Sequence, residues 1–494
     1  MKKSIYYLAV LIFLFIGLNA FLFQRIKVSE PSSAYFAVDT LAANLVVPWD
    51  IVFLPGGDML FTERPGRVRL MQKYNLKEKS VLTIPDVEVK GKMGLLAICL
   101  HPSFATNHFI YLAYNYRVDN STFLRIAKYT YSKNALINQQ AIIEKIPGVF
   151  NHTGCRLRFG TDNKLYITTG DADVPKLAQD LKALNGKTLR LNDNGSIPAD
   201  NPFINSDTAR KEIWTYGHRN SQGIAFQSGT GVMYNSEHGP TNGDEINIVT
   251  KGNNYGWPVA HHRNSVDGMM PPVMEFTPSI GPAEAMFYSG KNFPSMKGNL
   301  LVACMRGEAI LKIEFANSKI SSYNFLLKNK YGRIRALAEG PDGNIYFSTS
   351  HIDPPESNTR PGDDSFDMIL KMRPATAAEI KSGRALNLNE APLQQAINTG
   401  QPAGSNQTNV TAKSSPLLYS QLCAGCHGAD MKGIDTKPGL LSKLNYGSTS
   451  TEIKKSIMEG VVTKGMPAWN GVLTDKDAND LVNFILEKRN KVNG

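Results

Sequence analysis

Cysteine is scarce in this sequence, with five residues in a chain of 494. Five cysteines cannot build a disulfide framework for so long a chain, so its folded state must depend on a hydrophobic core. Hydrophobic residues make up 42% of the sequence and charged residues 20%, which is the composition of a folded protein and excludes global disorder. At roughly 100–200 residues per domain, this length predicts two to four domains.

Long basic runs and nucleic-acid-binding motifs are also missing. The net charge of +11 arises from 54 Lys and Arg against 43 Asp and Glu, which is a mild excess for the length. Such an excess suits an anionic ligand, partner or membrane surface, and we expect no nucleic acid partner. The sequence also lacks a strand–GxGxxG–helix unit, which argues against a nicotinamide or flavin site.

One long apolar run covers residues 5–23, directly after a positively charged start. About 20 apolar residues span a bilayer as a helix, so residues 1–30 are predicted to be an uncleaved membrane anchor or a cleaved signal peptide. The tripeptide LNA at 18–20 is a poor cleavage site, which favours the anchor. With either segment, the rest of the chain is expected to be exported to the periplasmic side of the membrane.

A short turn-and-strand signature recurs through the middle of the chain. Gly, Asp or Asn in a turn precede an aliphatic–aromatic pair in three clear copies, LPGGDMLFTE (54–63), GTDNKLYITT (160–169) and GPDGNIYFST (340–349), with weaker copies at 108–116, 229–237 and 297–305. Copies spaced roughly 45–70 residues apart match one propeller blade each. The sequence therefore predicts an all-β six-bladed β-propeller over residues 36–375, with a pair of β-sandwiches as the alternative.

The composition changes after residue 375. Residues 376–413 end in a stretch rich in Gly, Ser, Asn, Gln and Thr and are predicted to be a linker. Apolar residues then recur at helical spacing over 473–491. We therefore predict a small all-α domain over residues 414–494.

The strongest chemical motif is Cys423-Ala424-Gly425-Cys426-His427, a CxxCH sequence typical of c-type haem attachment. Two thiols at this spacing can form thioether bonds to the haem vinyl groups, and the next residue, His427, can then ligate the iron. A redox-active CxxC pair or half of a zinc site would need a second ligand pair, which is missing nearby. The small domain resembles class I cytochrome c, so covalent haem c is predicted.

Met466 is predicted to be the sixth iron ligand, since it follows the haem motif by about 40 residues within GMPAW. A thioether ligand favours the ferrous state and is typical of an electron carrier. Met458 is the competing candidate, but it lies within a helical pattern and is interpreted as a core residue.

Segments along the whole propeller carry a further resemblance. They include VPWDIVFLPGGDMLFTERPGRV (47–68), NHTGCRLRFGTDNKLYITTGDA (151–172), EIWTYGHRNSQGIAF (212–226), EHGPTNGDEINIVTKGNNYGWP (237–258) and GRIRALAEGPDGNIY (332–346). Together they resemble the soluble pyrroloquinoline quinone (PQQ) dependent glucose and sorbosone dehydrogenases, a six-bladed propeller family. The resemblance implies PQQ as cofactor and a sugar as substrate.

The resemblance assigns the general base to His152. This histidine would take the proton of the sugar C1 hydroxyl as hydride passes to the quinone, a task that suits an imidazole. Asp171, on the strand that follows, either orients this site or is an ordinary turn aspartate.

The resemblance also assigns cofactor contacts to Arg219, Asn220, Arg333 and Arg335, with a weaker case for Gln222. PQQ is a tricarboxylate, and guanidinium groups bind carboxylates in bidentate fashion while staying charged. Arg333 and Arg335 are two apart on a strand end, so their side chains are expected on the same side.

Two positions depart from the family pattern. Arg306 occupies the place of a lysine that contacts the quinone, so it keeps the charge but not the shape. Lys92 occupies the place of Gln or Glu and changes the charge near the substrate side. The substrate range is therefore the property that the resemblance leaves open.

Calcium is implied as well, because Gly239 and Pro240 match the backbone carbonyls that hold the cofactor calcium in the family. Asp244, Glu245 and Tyr255 match a second, structural calcium group. A solvated turn is the alternative interpretation of the two acidic residues.

Three further cysteines, Cys99, Cys155 and Cys304, are interpreted as buried thiols. The last two lie close in sequence to His152 and Arg306, so they are expected near the cofactor.

Taken together, the sequence predicts an exported quinohaemoprotein that oxidises an aldose or a related polyhydroxy aldehyde or alcohol. Its electrons would pass from PQQ to its own haem and then to an external acceptor such as a cytochrome, an oxidase or a quinone. The alternative is a catalytically inactive propeller that binds carbohydrate or a partner and carries an electron-transfer cytochrome c.

Overall fold

The computed structural model describes most of the propeller and parts of the chain after it. The described residues are 34–240, 242–262, 266–351, 367–389, 394–395, 415, 419, 423, 427–428, 430–434, 437–441, 444–461, 473 and 475–493. The predicted anchor or signal peptide, residues 1–30, lies outside them. Within the described part of the chain, no helix combines the length and the apolar character needed to cross a membrane.

Six antiparallel sheets of four or five strands form the six blades of a β-propeller, as the repeated signature predicts. Strand β1 (Tyr35–Leu45) precedes the first blade and belongs to the last one. The first three blades contain β2 (Pro48–Phe53), β3 (Met59–Glu63), β4 (Arg67–Gln72), β5 (Asn75–Leu76) and β6 (Leu82–Thr83); then β7 (Leu95–Leu100), β8 (Phe109–Val118), β9 (Ser121–Ser132) and β10 (Ala135–Gly148); then β11 (Leu157–Phe159), β12 (Leu165–Thr169), β13 (Lys187–Leu191) and β14 (Ile213–Tyr216). A short helix, α1 (Phe104–Asn107), joins β7 to β8.

The last three blades repeat the same up-and-down order. They contain β15 (Ser221–Phe226), β16 (Met233–Glu237), β17 (Asp244–Val249) and β18 (Met274–Phe276); then β19 (Pro282–Phe287), β20 (Leu300–Cys304), β21 (Ala309–Ala316) and β22 (Lys319–Leu326); then β23 (Ile334–Glu339), β24 (Ile345–Thr349) and β25 (Asp367–Pro374) with β1. The innermost strands β2, β7, β11, β15, β19 and β23 begin each blade.

Each copy of the turn-and-strand signature forms the second strand of a blade, namely β3, β8, β12, β16, β20 and β24. The aliphatic and aromatic side chains on these strands are buried because they fill the space between neighbouring blades. Tyr346 of the last blade, for example, meets Phe53 of the first with ring centroids 4.7 Å apart. The hydrophobic core is therefore distributed around the ring between the blades.

The ring is closed by β1, which pairs with β25 in antiparallel register with Asp39 opposite Lys371. The Arg373 guanidinium donates two hydrogen bonds to the Asp39 carboxylate, at 2.8 and 2.9 Å. This bidentate pair lies across the seam where the two ends of the ring meet.

The chain continues to contact the propeller after the last blade. Helix α2 (Ala377–Lys381) begins with a capping box between Thr376 and Glu379. Strand β26 (Leu386–Asn387) then pairs with β1, and β27 (Gln394–Gln395) pairs with β22. These parts of the predicted linker, residues 376–413, are therefore folded onto two blades.

The described residues of the C-terminal part include the helices α3 (Ser450–Glu459) and α4 (Asp475–Asn493) and a small hairpin of β28 (Gly433–Ile434) and β29 (Lys437–Pro438). Helix α4 matches the predicted helical stretch. Buried residues of α3 and α4, among them Ile457 and Leu481, form one hydrophobic cluster with Tyr419. This cluster is the core of the helical domain that the sequence predicts.

Candidate functional site

A cavity of about 370 Å³ opens at one end of the propeller. Its walls come from the loops that lead into the innermost strands and from the loops that follow the second strands. These loops meet at the same end because neighbouring strands of a blade are antiparallel. Nine of the predicted site residues line it together: His152, Arg219, Asn220, Gly239, Pro240, Asp244, Arg306, Arg333 and Arg335.

The predicted base, His152, lies in the loop between β10 and β11 and has a left-handed backbone conformation (φ 45°). Its Nδ1 lies 2.8 Å from Oδ1 of the fully buried Asp171 and 2.9 Å from Oδ1 of Asp173. Because carboxylates accept hydrogen bonds, Nδ1 carries the proton. The other ring nitrogen, Nε2, is then left as the proton acceptor. The hydrogen bond from Nδ1 places Asp171 where it can orient the His152 ring.

Asp171 is itself fixed by a second contact. Its Oδ2 accepts a hydrogen bond from Nε1 of Trp257 at 2.8 Å. The Trp257 ring also packs against Arg219, whose guanidinium carbon lies 5.3 Å from the ring centroid. One indole therefore contacts both the carboxylate behind the predicted base and a predicted cofactor ligand.

Arg219 and Asn220 lie just before β15, where the chain enters the fourth blade. Asn220 Oδ1 accepts hydrogen bonds from the backbone N–H of Gly154 and from Nε2 of Gln222, both at 3.2 Å. Arg219 donates to the carbonyl of His238 at 3.2 Å, while its buried Nε has no partner among the described residues. Burial lowers the pKa of Arg219.

Arg333 and Arg335 both line the cavity from the start of β23, as their spacing predicts. The Arg335 guanidinium is buried and stacks on the Trp49 ring, 3.6 Å from its centroid. Burial and then the nearby Arg306 lower the pKa of Arg333 to about 10. Burial, followed by the charges of Arg156 and Arg333, lowers the pKa of Arg335. The cavity thus holds cations that an anion would stabilise.

These observations fit a bound tricarboxylate. Guanidinium groups in the cavity wall offer paired donors to carboxylates. The buried Nε1 of Trp49 and Nε2 of His238 are without a partner in the described part of the chain, as is Nε of Arg219. Buried polar atoms of this kind are costly unless a ligand or water satisfies them. PQQ therefore fits the residues that line the cavity.

The predicted calcium carbonyls, Gly239 and Pro240, lie at the cavity wall. Their loop is organised by the buried Asp244, whose pKa is raised by burial. The Asp244 carboxylate accepts from four donors, the N–H groups of Gly239 (2.9 Å), Ile280 (2.7 Å) and Gly281 (2.7 Å) and the hydroxyl of Ser279 (2.5 Å). Backbone carbonyls are ligands that calcium accepts, so this wall fits the cofactor calcium.

The second predicted calcium group consists of Asp244, Glu245 and Tyr255. Glu245 pairs across the sheet with Glu237 on one side and Glu275 on the other. Burial and then the charge of Glu237 raise the pKa of Glu245 well above its usual range. The Tyr255 hydroxyl donates to the carbonyl of Ile248 at 2.6 Å. Neither Glu245 nor Tyr255 lines the cavity, and a structural calcium there stays a prediction.

Part of the haem motif is described in the C-terminal domain. The His427 N–H donates to the carbonyl of Cys423 at 2.9 Å, so both side chains lie on one face of a helical turn. His427 Nδ1 lies 2.8 Å from the carbonyl of Pro438, which leaves Nε2 available for a metal. These residues fit a c-type haem. Cys426 and Met466 lie outside the described residues.

Met458 packs against the hydrophobic cluster of the helical domain, in agreement with its interpretation as a core residue. Cys99, Cys155 and Cys304 are buried, and burial raises the pKa of Cys99 to about 11 and that of Cys304 to about 12. Neither Cys155 nor Cys304 is among the residues that line the cavity.

Three residues of the site were not predicted from the sequence. Trp49 stacks against the guanidinium of Arg335. His238 lines the cavity beside Gly239. Trp257 donates a hydrogen bond to Asp171. All three occur inside segments that carry the family resemblance, at 47–68 and 237–258. Their position inside these segments was the signal that could have identified them. The residues that they contact in the site are distant in sequence, so the sequence alone did not reveal their roles.

Two family models match different parts of the chain. Residues 45–354 match the model described as glucose/sorbosone dehydrogenase. Residues 411–485 match the model described as cytochrome c oxidase, cbb3-type, subunit III. The two matches correspond to the propeller and to the helical domain.

Individual proteins resemble the propeller alone. Aldose sugar dehydrogenase YliI of Escherichia coli is 33% identical over 331 residues, which cover 63% of this chain and 89% of that protein. Quinoprotein glucose dehydrogenase B of Acinetobacter calcoaceticus is 32% identical over 260 residues, or 47% of this chain and 54% of that protein. The PQQ-bound aldose sugar dehydrogenase of Streptomyces coelicolor superimposes with a TM-score of 0.58 at 28% identity, covering 69% of this chain and 98% of that one.

Proposed function

The chain belongs to the glucose/sorbosone dehydrogenase family, and we propose that it is a PQQ-dependent aldose dehydrogenase that passes electrons to its own c-type haem. The observation that carries this proposal is the position of the His152–Asp171 pair in the wall of the cation-lined cavity. A base beside a tricarboxylate site is the arrangement needed to oxidise a sugar C1 hydroxyl.

When bound, PQQ supplies a two-electron acceptor that takes a hydride and a proton overall. The chain's own residues do the rest. Arg219, Arg333 and Arg335 would bind the cofactor carboxylates, with Asn220 and Arg306 beside them. His152 Nε2 would accept the proton of the C1 hydroxyl, while Asp171 holds the ring in the required tautomer and stabilises the imidazolium that forms.

The metal and haem sites complete the proposal. Gly239 and Pro240 would bind the cofactor calcium, and Glu245, with Asp244 and Tyr255 nearby in sequence, would serve a second calcium. Cys423 and Cys426 would attach the haem covalently, and His427 and Met466 would ligate its iron. Export, an N-terminal membrane anchor and an external acceptor (a cytochrome, an oxidase or a quinone) belong to the same proposal.

An anaerobic experiment tests this function. The full chain is expressed with haem maturation, loaded with PQQ and Ca²⁺, oxidised, and mixed with aldoses while the reduced-haem bands are followed. We expect reduction that requires both PQQ and sugar. Binding of PQQ without any sugar-dependent reduction would favour the inactive, carbohydrate-binding alternative, and absence of PQQ binding would reject the quinoprotein proposal.

A substitution of His152 tests its proposed role as the general base. His152→Gln should lower kcat/KM by about 10²–10⁴-fold, because general base catalysis contributes on that order. Binding of PQQ, followed by its absorbance, should persist. His101→Gln is the control, since His101 follows the innermost strand β7, lies beside Asp193 and does not line the cavity.

A further inference from the structure

Four large apolar side chains are exposed on the loops around the cavity. They are Val89, Phe150, Val174 and Val259, whose exposed fractions are 46, 52, 38 and 56%. The first two loops also carry Lys92 and His152, which line the cavity. Single exposed apolar residues are ordinary, whereas a group of them around one opening is typical of an interaction site. We refer to these four side chains as the rim patch.

Hydrogen bonds hold the loops of the rim patch together. The backbone N–H of Lys92 donates to the carbonyl of Phe150 at 2.7 Å. The next residue, Asn151, donates from Nδ2 to the carboxylate of Asp173 at 2.9 Å, which connects the second loop to the third. The indole of Trp257 adds the fourth loop by its hydrogen bond to the carboxylate behind the predicted base. The four side chains therefore lie along one arc of the cavity edge.

The cavity inside this arc is where the cofactor would lie, and its electrons must leave from there to reach the haem. Behind the cavity the ring is filled by the buried Arg156, whose Nε donates to the carbonyl of the cavity residue Gln222 at 3.0 Å. The innermost strand β2 has six residues, so the opposite end of the propeller is roughly 20 Å farther away. Electron tunnelling slows steeply with distance, so the cavity mouth is the favourable place for a haem.

The helical domain can reach the cavity mouth. Residues 396–414 separate Gln395, which pairs with β22 of the fifth blade, from Ser415. A chain of that length can span at most roughly 70 Å, whereas a four-stranded blade is about 20 Å wide. Cys423 and His427 are both partly exposed, so a haem attached to them would have an accessible edge.

We propose that the rim patch is the docking surface for the haem domain of the same chain, which covers it while electrons leave the cofactor. The proposal rests on the proposed function, because it assumes PQQ in the cavity and haem c on Cys423 and His427. Each transfer would carry one electron from the reduced cofactor to ferric haem. Two transfers, with an external acceptor reoxidising the haem between them and two protons released to water, restore the quinone.

The small size of the rim patch suits this partner. Electron-transfer complexes bury little surface and are weak. A covalent tether raises the effective concentration of the haem domain to the order of millimolar, at which weak contacts are sufficient. A sugar must enter through the same opening, so the domain has to dock and leave in every catalytic cycle.

Phe150→Asp and Val259→Asp test the docking surface, because a carboxylate opposes burial of the patch. In the PQQ- and Ca²⁺-loaded full chain, each variant should slow sugar-dependent haem reduction by about tenfold. Reduction of excess phenazine methosulfate, a small acceptor that needs no docking, should continue at the parent rate. Ile137→Asp is the control, since Ile137 is also exposed but lies near the start of β10, whereas the loop of Phe150 follows its end.

A spin label reports docking without any turnover. A nitroxide attached to Val259→Cys should show a fast-relaxing population in the haem-loaded full chain, because ferric haem close by is paramagnetic. The same label on Ile137→Cys should lack this population, and Phe150→Asp should reduce it in Val259→Cys. Labelling at the introduced thiol is selective because Cys99, Cys155 and Cys304 are buried.

These measurements separate docking from the dehydrogenase activity. Equal relaxation at the two labelled positions would overturn the docking proposal, as would haem reduction that both aspartate variants leave unchanged. A parallel loss of phenazine methosulfate reduction would also overturn it, since the patch would then act on the sugar or the cofactor. If sugar reduces neither acceptor in the parent, the dehydrogenase proposal fails, while the spin labels still show whether the haem domain docks.

Discussion

At the scale of single residues, the choice of proton-accepting atom depends on one hydrogen bond. Because Nδ1 of His152 donates to Asp171, Nε2 is the ring nitrogen that would accept a proton in the proposed reaction. The carboxylate is fully buried, so its charge acts on the imidazole with little screening by water. Asp171 is thus a positioning residue whose removal should alter proton transfer without removing a contact to the sugar.

Asp171→Asn should lower kcat/KM by about 10–100-fold, because the amide no longer stabilises the imidazolium that forms during proton transfer. The value of kcat/KM is measured by sugar-dependent haem reduction in the loaded full chain. An unchanged kcat/KM would show that Asp171 does not act through His152.

Arg335 illustrates a conflict between stability and binding. Burial and neighbouring arginines lower its pKa, so the charged side chain is disfavoured until an anion arrives. Arg335→Met should therefore weaken PQQ binding by about 10²-fold while leaving the PQQ-free protein as stable as the parent or more so. Absorbance titration and thermal unfolding measure the two effects. The exposed Arg384 supplies the control Arg384→Met, and equal PQQ affinity in both variants would contradict the assignment.

At the scale of elements, the loop between β17 and β18 connects two parts of the site. Trp257 in this loop donates to Asp171 and packs against Arg219. Trp257→Phe keeps an aromatic ring but loses the donor, so kcat/KM should fall by about fivefold with a smaller change in PQQ affinity. Trp214→Phe is the matched control, because Trp214 contacts Arg190 and Lys251 away from the cavity. An equal effect of both variants would indicate general destabilisation.

The elements also show what the sequence could and could not reveal. The turn-and-strand signature predicts six blades because each copy is local, as at 340–349, which forms β24. The closing strand β1 carries no such local signal, since its partner β25 is more than 300 residues away. The site residues were found by resemblance to a family, whereas Trp257 was missed because its role depends on Asp171, a distant partner.

At the scale of the whole molecule, side chains from three blades, carried on or next to their innermost strands, meet inside the ring. Arg156 lies 2.8 Å from Asp50 and 2.6 Å from Glu284, and Arg158 lies 3.2 and 2.8 Å from the same two carboxylates. Burial works to raise the pKa of Asp50, but the two arginines outweigh it and lower this pKa. Burial raises the pKa of Glu284 to about 7. One carboxylate is therefore charged and the other takes up a proton near neutrality.

This proton makes stability depend on pH. Between pH 5 and 7 the folded state keeps a proton on Glu284 that the unfolded state has lost, so the contribution of Glu284 to stability falls as pH rises through that interval. Glu284→Gln removes this dependence because glutamine resembles the protonated form. We expect the variant and the parent to have similar melting temperatures near pH 5 and the variant to gain relative stability up to pH 8. A difference that does not vary with pH would refute this.

The fusion of propeller and haem domain predicts the kinetics of electron transfer. If both centres belong to one chain, the haem is reduced at a rate that does not depend on protein concentration. Stopped-flow mixing of the loaded full chain with saturating sugar should therefore give the same first-order rate over a tenfold dilution. A rate proportional to protein concentration would show that electrons pass between molecules instead.

The seam between β1 and β25 has a consequence for biosynthesis. A ribosome makes β1 first, yet its pairing partner β25 is complete only at Pro374, after strands β2 to β24 have been made. Until then β1 has an unpaired edge, and such edges are prone to aggregation. The nascent ring cannot close blade by blade, so its last folding step must wait for the final strand. A chain that stops before β25 would leave β1 without its native partner, however many blades had already formed.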